Sequence, residues 1–185
     1  MSPSTRPQCS VYIATSLDGY IAREDGDIEW LNQISATVPP GNDLGYGDFM
    51  ASIDALVMGR KSFEKVVSFG MWPSEGTPVI VLSRRGVAIP PELAGKVSTT
   101  SESLEALVKR LGGEGMKRLY IDGGRTVQSF MDAGLIDDIT LTLIPILLGS
   151  GISLFGPLES DIHLRATSSR SLPAGLVQVC YEVKR

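Results

Sequence analysis

The sequence is poor in the residues that hold metals, staple small domains or run nucleophilic triads. Its 185 residues include two cysteines, Cys9 and Cys180, and one histidine, His163. A zinc site needs three or four ligands of this kind, so no metal is expected. A Ser-His-Asp arrangement would have to use His163, and no neighbouring motif supports one. Two distant cysteines make no disulfide framework, which points to a reducing compartment. Long apolar runs are missing as well. The longest, Leu141–Leu148, contains Pro145 and is far too short to span a bilayer. The N-terminal residues lack the charged region and apolar core of a signal peptide. No block of one charge sign occurs: 17 basic and 21 acidic residues give a net charge of −4. Neutralising a nucleic-acid backbone takes clustered Lys and Arg, so that class of partner is disfavoured, whereas a small anionic ligand needs only a local patch. The expectation is a soluble, cytoplasmic protein with a small-molecule substrate and neither membrane nor nucleic-acid partners.

What is present is ordinary core-forming material, with 43% hydrophobic residues, enough for one domain over residues 1–185 with a flexible polar tail at Met1–Gln8. β-branched and apolar runs predict strands at Ser10–Thr15, Ala55–Met58, Val79–Leu82, Val97–Thr99, Leu119–Ile121, Asp138–Ile144, Leu164–Ser168 and Leu176–Val183. Apolar residues at helical spacing predict helices at Ile28–Ile34, around Phe63, Val66 and Val67, at Ser101–Leu111 (capped by Ser101, ended by Gly112-Gly113) and at Arg125–Ala133, with a helical turn at Phe49–Ile53. A loop is expected at Met71–Pro78. Alternating strands and helices imply an α/β fold with a mostly parallel sheet, helices on both faces and an antiparallel C-terminal hairpin.

Open α/β sheets bind ligands beyond the carboxyl ends of their strands. Three such ends here suit an anionic cofactor. Gly59-Arg60-Lys61-Ser62 joins a strand to a helix whose first amides can meet a phosphate. Ser83-Arg84-Arg85, following the strand that ends at Leu82, offers a hydroxyl and a guanidinium suited to the 2′-phosphate that distinguishes NADP from NAD, with Leu82, Ser83 and Arg84 as the cofactor candidates. Ile121-Asp122-Gly123-Gly124-Arg125-Thr126 carries a Gly pair that permits close backbone approach to a pyrophosphate, although it is no GxGxxG. Ser16, Asp18, Trp30 and Phe49 are candidates on the substrate side, with core packing the competing role for the two aromatics. Asp43 and Asp48 are the candidate proton donors, with capping or solvation as the competing role.

Taken in order, Tyr12–Ala22 (YIATSLDGYIA), Ala55–Glu64 (ALVMGRKSFE), Val79–Arg84 (VIVLSR), Ile121–Thr126 (IDGGRT) and Pro145–Phe155 (PILLGSGISLF) resemble the RibD C-terminal domain, the reductase part of bifunctional riboflavin-biosynthesis proteins, within the dihydrofolate reductase-like fold. The resemblance implies an eight-stranded mixed sheet, NADPH as cofactor and a homodimer, with Leu141–Phe155 offering an interface. It implies Arg60, Lys61 and Ser62 at the cofactor phosphates, Ser83 and Arg84 at the 2′-phosphate, Gly123–Thr126 at the pyrophosphate and Ala14 beside the nicotinamide. It also implies a cis peptide within Asp122-Gly123-Gly124. Asp122 stands where dihydrofolate reductases have Gly, as in the riboflavin-type enzymes. The implied activity is NADPH-dependent reduction of a small heteroaromatic, pterin-like or pyrimidine-type compound. The alternatives are a catalytically silent NADP(H)-binding module, and a 5-amino-6-(5-phosphoribosylamino)uracil reductase or dihydrofolate reductase proper.

Overall fold

A computed structural model describes residues 6–70, 72 and 76–184. In chain order its elements are β1 (Gln8–Ser16), β2 (Tyr20–Ala22), α1 (Glu29–Ser35), α2 (Tyr46–Ala51), β3 (Ala55–Gly59), α3 (Arg60–Ser68), β4 (Val79–Leu82), β5 (Val97–Thr100), α4 (Leu104–Gly113), β6 (Arg118–Asp122), α5 (Gly124–Asp132), β7 (Asp138–Ile144), β8 (Ile152–Ser153), β9 (Leu164–Ser171) and β10 (Val177–Val183). The main sheet has eight strands in the order β5-β4-β3-β6-β1-β7-β10-β9. From β5 to β7 every pairing is parallel, and β10 runs antiparallel to both β7 and β9. The mixed sheet and terminal hairpin are therefore as expected.

Side-chain alternation divides the core between the two faces of the sheet. Val11, Val57 and Ile121 point to the face covered by Leu107, Val108 and Leu111 of α4 and Val127 and Phe130 of α5. Leu56, Met58 and Tyr120 point to the face covered by Phe49 of α2 and Phe63 of α3. On that second face, Trp30 of α1 packs with Ile144 and Leu176. The strands of the parallel half are apolar on both faces because helices cover both.

Several expectations are corrected. Gln8 already belongs to β1, and the Arg6 guanidinium pairs with Asp137 at 2.7 Å. Arg6 to Gln8 of the expected tail are thus held against the sheet, and the rest of that segment lies outside the described residues. Half of the expected Met71–Pro78 loop, residues 71 and 73–75, also lies outside the described residues. Ser103, not Ser101, caps α4 by accepting the Ala106 amide at 3.3 Å, and the helix runs through Gly112 and Gly113. The ribbon of β2 with β8 was not expected at all. The described peptide bonds include no cis bond. Gly123 makes the turn with trans bonds by adopting φ 89° and ψ 136°, a conformation open to a residue without Cβ.

Candidate functional site

The carboxyl ends of β1, β3 and β6 open into one cleft of about 630 Å³. It is built around two helix starts. The end of β3 passes through Gly59 directly into α3, and the end of β6 passes through Gly123 into α5. The two junctions touch: a Cβ on Gly123 would overlap the Ser62 Oγ, and one on Gly59 would stand 3.0 Å from the Thr126 Oγ1. The ribbon of β2 and β8 closes over Gly124, whose Cβ would stand 3.0 Å from Ile21 Cδ1 and 3.1 Å from the Ser153 carbonyl. Neither α3 nor α5 has a side-chain cap or an acid in its first turn. By contrast, α4 is capped by Ser103, and the Asp43 carboxylate accepts the Gly45 and Gly47 amides at 2.9 and 2.7 Å at the start of α2. The helix starts that face the cleft therefore keep first-turn N–H groups and positive dipole ends for a ligand. Arg60, Lys61 and Arg125 add charge there.

Of the expected cofactor residues, Ala14, Gly59, Arg60, Lys61, Ser62, Gly123, Gly124, Arg125 and Thr126 come together in this lining. Ile121 lies fully buried behind it. Leu82, Ser83 and Arg84 do not line it. Leu82 packs against the core, and the Ser83 hydroxyl closes its own turn onto the Gly86 carbonyl at 2.7 Å. Arg84 is exposed. A shallow depression of about 450 Å³ nevertheless continues from Arg60, and Arg85, Gly86 and Val87 line it. Arg85 rather than Arg84 is the guanidinium on this path. The sequence shows two adjacent arginines and nothing that orders them.

The expected substrate residues mostly serve the scaffold. Ser16 is buried, donates to Asp18 at 2.6 Å and accepts the Tyr20 amide at 2.9 Å. Asp18 also accepts the Gly149 and Leu148 amides at 2.8 and 3.1 Å. The Ser16 hydroxyl first, then these amides, hold its carboxyl down at about 2. The pair thus ties the loop after β1 to the loop after β7. Trp30 is 4% exposed and faces the core, while its neighbour Leu31 lines the cleft. Phe49 is buried between Tyr12 and Tyr120, with ring centroids 4.7 and 5.0 Å away. Neither Asp43 nor Asp48 lines the cleft. Asp43 is occupied as a cap, and its carboxyl is held low by the Gly45 and Gly47 amides.

The cleft does hold the carboxyls of Glu24, Asp25 and Asp122, and the one at a strand end beside the Gly pair is Asp122. Burial raises its pKa above the ordinary 3.8, against the opposing effect of the Gly123 amide and the Tyr120 hydroxyl. That hydroxyl donates to the Tyr12 carbonyl at 2.8 Å and lies 3.5 Å from Asp122 Oδ1. Tyr46 is pushed up to about 12 by burial and then by the Asp122 charge. A carboxyl at a strand end immediately before a Gly pair is a signal in the sequence. Its phenolic surroundings come from three separate elements and are not.

A second hollow, of about 730 Å³, lies between Met131, the Pro157–His163 loop and Lys184. It has no strand-to-helix junction, and among its lining residues are Asp132, Glu159 and Asp161. No group of His, Cys, Asp and Glu able to hold a metal occurs among the described residues, and none of their helices is long and apolar enough to cross a membrane.

A mixed eight-stranded sheet with its cleft at two uncapped helix starts defines a domain of the dihydrofolate reductase-like class. The chain belongs to the RibD C-terminal domain family, whose model matches residues 7–178. It is 35% identical over 162 residues to the uncharacterised Bacillus subtilis (strain 168) protein YwjB, covering 86% of this chain and 89% of that one. The crystal structure of a Shewanella sp. PV-4 protein, provisionally assigned to riboflavin biosynthesis, is 40% identical with a TM-score of 0.89, over 96% of this chain and 99% of that one. The fold also matches the Saccharomyces cerevisiae riboflavin biosynthesis reductase Rib7, at 13% identity and TM-score 0.69, over 100% and 93% of the two chains.

Proposed function

We propose that the chain is an NADPH-dependent oxidoreductase that reduces a small heteroaromatic, pterin-like or pyrimidine-type compound by hydride transfer. The carrying observation is the cradle itself: two uncapped helix starts in contact through Gly123 and Ser62, with Arg60, Lys61 and Arg125 beside them. A diphosphate suits that combination of free amides, positive charge and absent Cβ atoms. Membership of a family that includes riboflavin-pathway proteins supports the reading. Bound there, a nicotinamide supplies the hydride. Gly123 and Gly124 let the backbone approach the diphosphate, and Arg60, Lys61 and Arg125 balance its charge. Ile13, Ala14 and Ile21 give the ring end an apolar floor that excludes water. Asp122 holds a proton to a higher pH than an ordinary carboxyl and is the proton donor in place of Asp43 or Asp48. Calorimetric titration with NADPH tests the reading, and absence of binding sinks it.

Specificity for the 2′-phosphate belongs to Arg85 with Arg60, along the depression that leaves the cleft. Arg85→Ala is expected to weaken NADPH about tenfold, the scale of one charge-assisted hydrogen bond, while NADH stays within twofold. Arg84→Ala has the smaller effect. Equal losses for both cofactors refute the assignment.

The homodimer implied by the resemblance belongs to the same proposal. Leu147 and Phe155, in the segment expected at the interface, are 69% and 41% exposed. Light scattering after size exclusion is expected to give twice the 19.8 kDa chain mass, and a monomer refutes it.

A further inference from the structure

We infer that Tyr120 is the positioning residue of the proton donor: its hydroxyl donates to the Tyr12 carbonyl while Asp122 is protonated, and turns to donate to the carboxylate once the acid has given its proton up. The inference rests on the reductase reading and deepens it. Tyr120 and Asp122 are two residues apart on β6, so their side chains leave the strand on one face. A parting of strands brings the hydroxyl into play. β1 pairs with β7 as far as Ser16, but with β6 only as far as Ser10 opposite Tyr120. Beyond that pair the Tyr120 hydroxyl reaches the Tyr12 carbonyl at 2.8 Å. Asp122 Oδ1 lies 3.5 Å from the same hydroxyl oxygen. A tyrosine hydroxyl has one proton to donate, and here it has two acceptors. The distances show which one holds it: 2.8 Å is a full hydrogen bond, and 3.5 Å is long for one.

Proton transfer to the substrate breaks the Asp122 O–H bond and leaves a carboxylate with little water around it, and such a charge needs a donor. Rotation about the Tyr120 C–O bond supplies one and breaks no covalent bond. Solvent then returns a proton to Asp122, and the hydroxyl turns back. Tyr120 stays a neutral donor throughout, because burial raises its own pKa well above 10. The other groups near Asp122 do not compete for this part. Tyr46 of α2 feels the Asp122 charge, but no hydrogen bond joins the two. The Tyr12 hydroxyl of β1 is spent on the Leu44 carbonyl at 2.9 Å. Glu24 and Asp25 after β2, Arg60, Lys61 and Lys65 of α3, and Arg125 of α5 share the cleft. The influences on Asp122 are nevertheless burial, the Gly123 amide and the Tyr120 hydroxyl.

Tyr120→Phe tests this. It keeps the ring and its edge contact with Phe49, at 5.0 Å between centroids, and removes only the hydroxyl. Loss of a donor to the ionised form raises the pKa of an acid. The Asp122 carboxyl carbon, followed by NMR on the isotope-labelled full chain, is therefore expected to titrate about one pH unit higher than in the parent, the scale of one hydrogen bond to a charge. The alkaline limb of kcat is expected to move up by the same amount. On the acid plateau kcat falls by up to about tenfold while KM stays within about twofold. Tyr46→Phe is expected to leave the Asp122 midpoint in place. In the parent, the Tyr120 Cζ signal is expected to step at that midpoint, because the hydroxyl changes its acceptor there. A midpoint unmoved or lowered in Tyr120→Phe, an equal shift in Tyr46→Phe, or a Cζ signal without the step overturns the inference. If NADPH fails to bind, the reductase reading falls, and the two NMR titrations still decide whether Tyr120 answers the charge on Asp122.

Discussion

Replacing Gly123 with alanine is expected to lower the melting temperature by about 5–10 °C and to weaken NADPH at least about 100-fold. Two effects add. The native backbone at this residue has φ 89° and ψ 136°, and holding an L side chain there costs about 1–3 kcal/mol. The new methyl also overlaps the Ser62 Oγ. Ser62 sits in the first turn of α3, so relief comes only by moving one helix start away from the other. At about 2–4 °C per kcal/mol for a chain of this size, the combined loss gives the stated range. Separating the two helix starts removes the convergence of amides on which diphosphate binding depends, and misplacement of about 1 Å can cost 100-fold. The double variant Gly123→Ala with Ser62→Gly removes the overlap but keeps the strain, so it recovers part of the affinity. Gly113→Ala is the control. Gly113 has open space around it, and its alanine variant is expected to stay within about 0.5 kcal/mol of the parent. Calorimetric melting and NADPH titration read all three, and parental values for Gly123→Ala would refute the cradle.

Those helix starts were legible in the sequence because their signals are local. Val79–Leu82 and Asp138–Ile144 are strands with the expected bounds, since β-branched runs flanked by turn residues have no competing reading. Gly59 and Gly123 stand at strand-to-helix junctions, and a glycine there already implies a tight turn or a close approach. The ribbon of β2 and β8 was illegible: its strands have three and two residues, and only their distant pairing makes them strands. It nevertheless brings Ile21 and Ile152 to the cleft. The aromatics failed for a related reason. Trp30 and Leu31 are adjacent on α1, and the packing of Ile144 and Leu176 decides which one faces inward. Ser101 and Ser103 are equally good caps by composition, and the register of Leu107, Val108 and Leu111 against the sheet selects the second. Asp43 and Asp48 were near in sequence to a possible site, yet the turn before α2 takes Asp43 for its own amides.

Asp122→Asn is expected to cut kcat about 100- to 1000-fold, the usual loss when a positioned acid is removed, while NADPH affinity stays within twofold. The amide keeps the size and polarity of the carboxyl and loses the proton that can be given up. Burial raises the pKa of Asp122 above 3.8 in the folded protein. A group raised in this way contributes stability that is fully present below its unfolded pKa and is lost as pH rises through its folded pKa. Above that point the fold holds a poorly solvated carboxylate, whose charge Tyr46 and Tyr120 also feel. Asparagine never ionises. The variant is therefore expected to melt higher than the parent at neutral and alkaline pH, and this advantage should vanish near pH 4. Activity in the parent should fall as pH rises through the same raised pKa, because the reactive form is the protonated one. The variant's residual activity should lack that limb. A gain in stability together with a loss of turnover is what a catalytic carboxyl in an apolar cleft entails: the desolvation that makes it an acid also makes it costly to keep. If the variant retains the alkaline limb, or loses stability at pH 8, then Asp122 is a structural partner of Tyr120 and the proton comes from elsewhere.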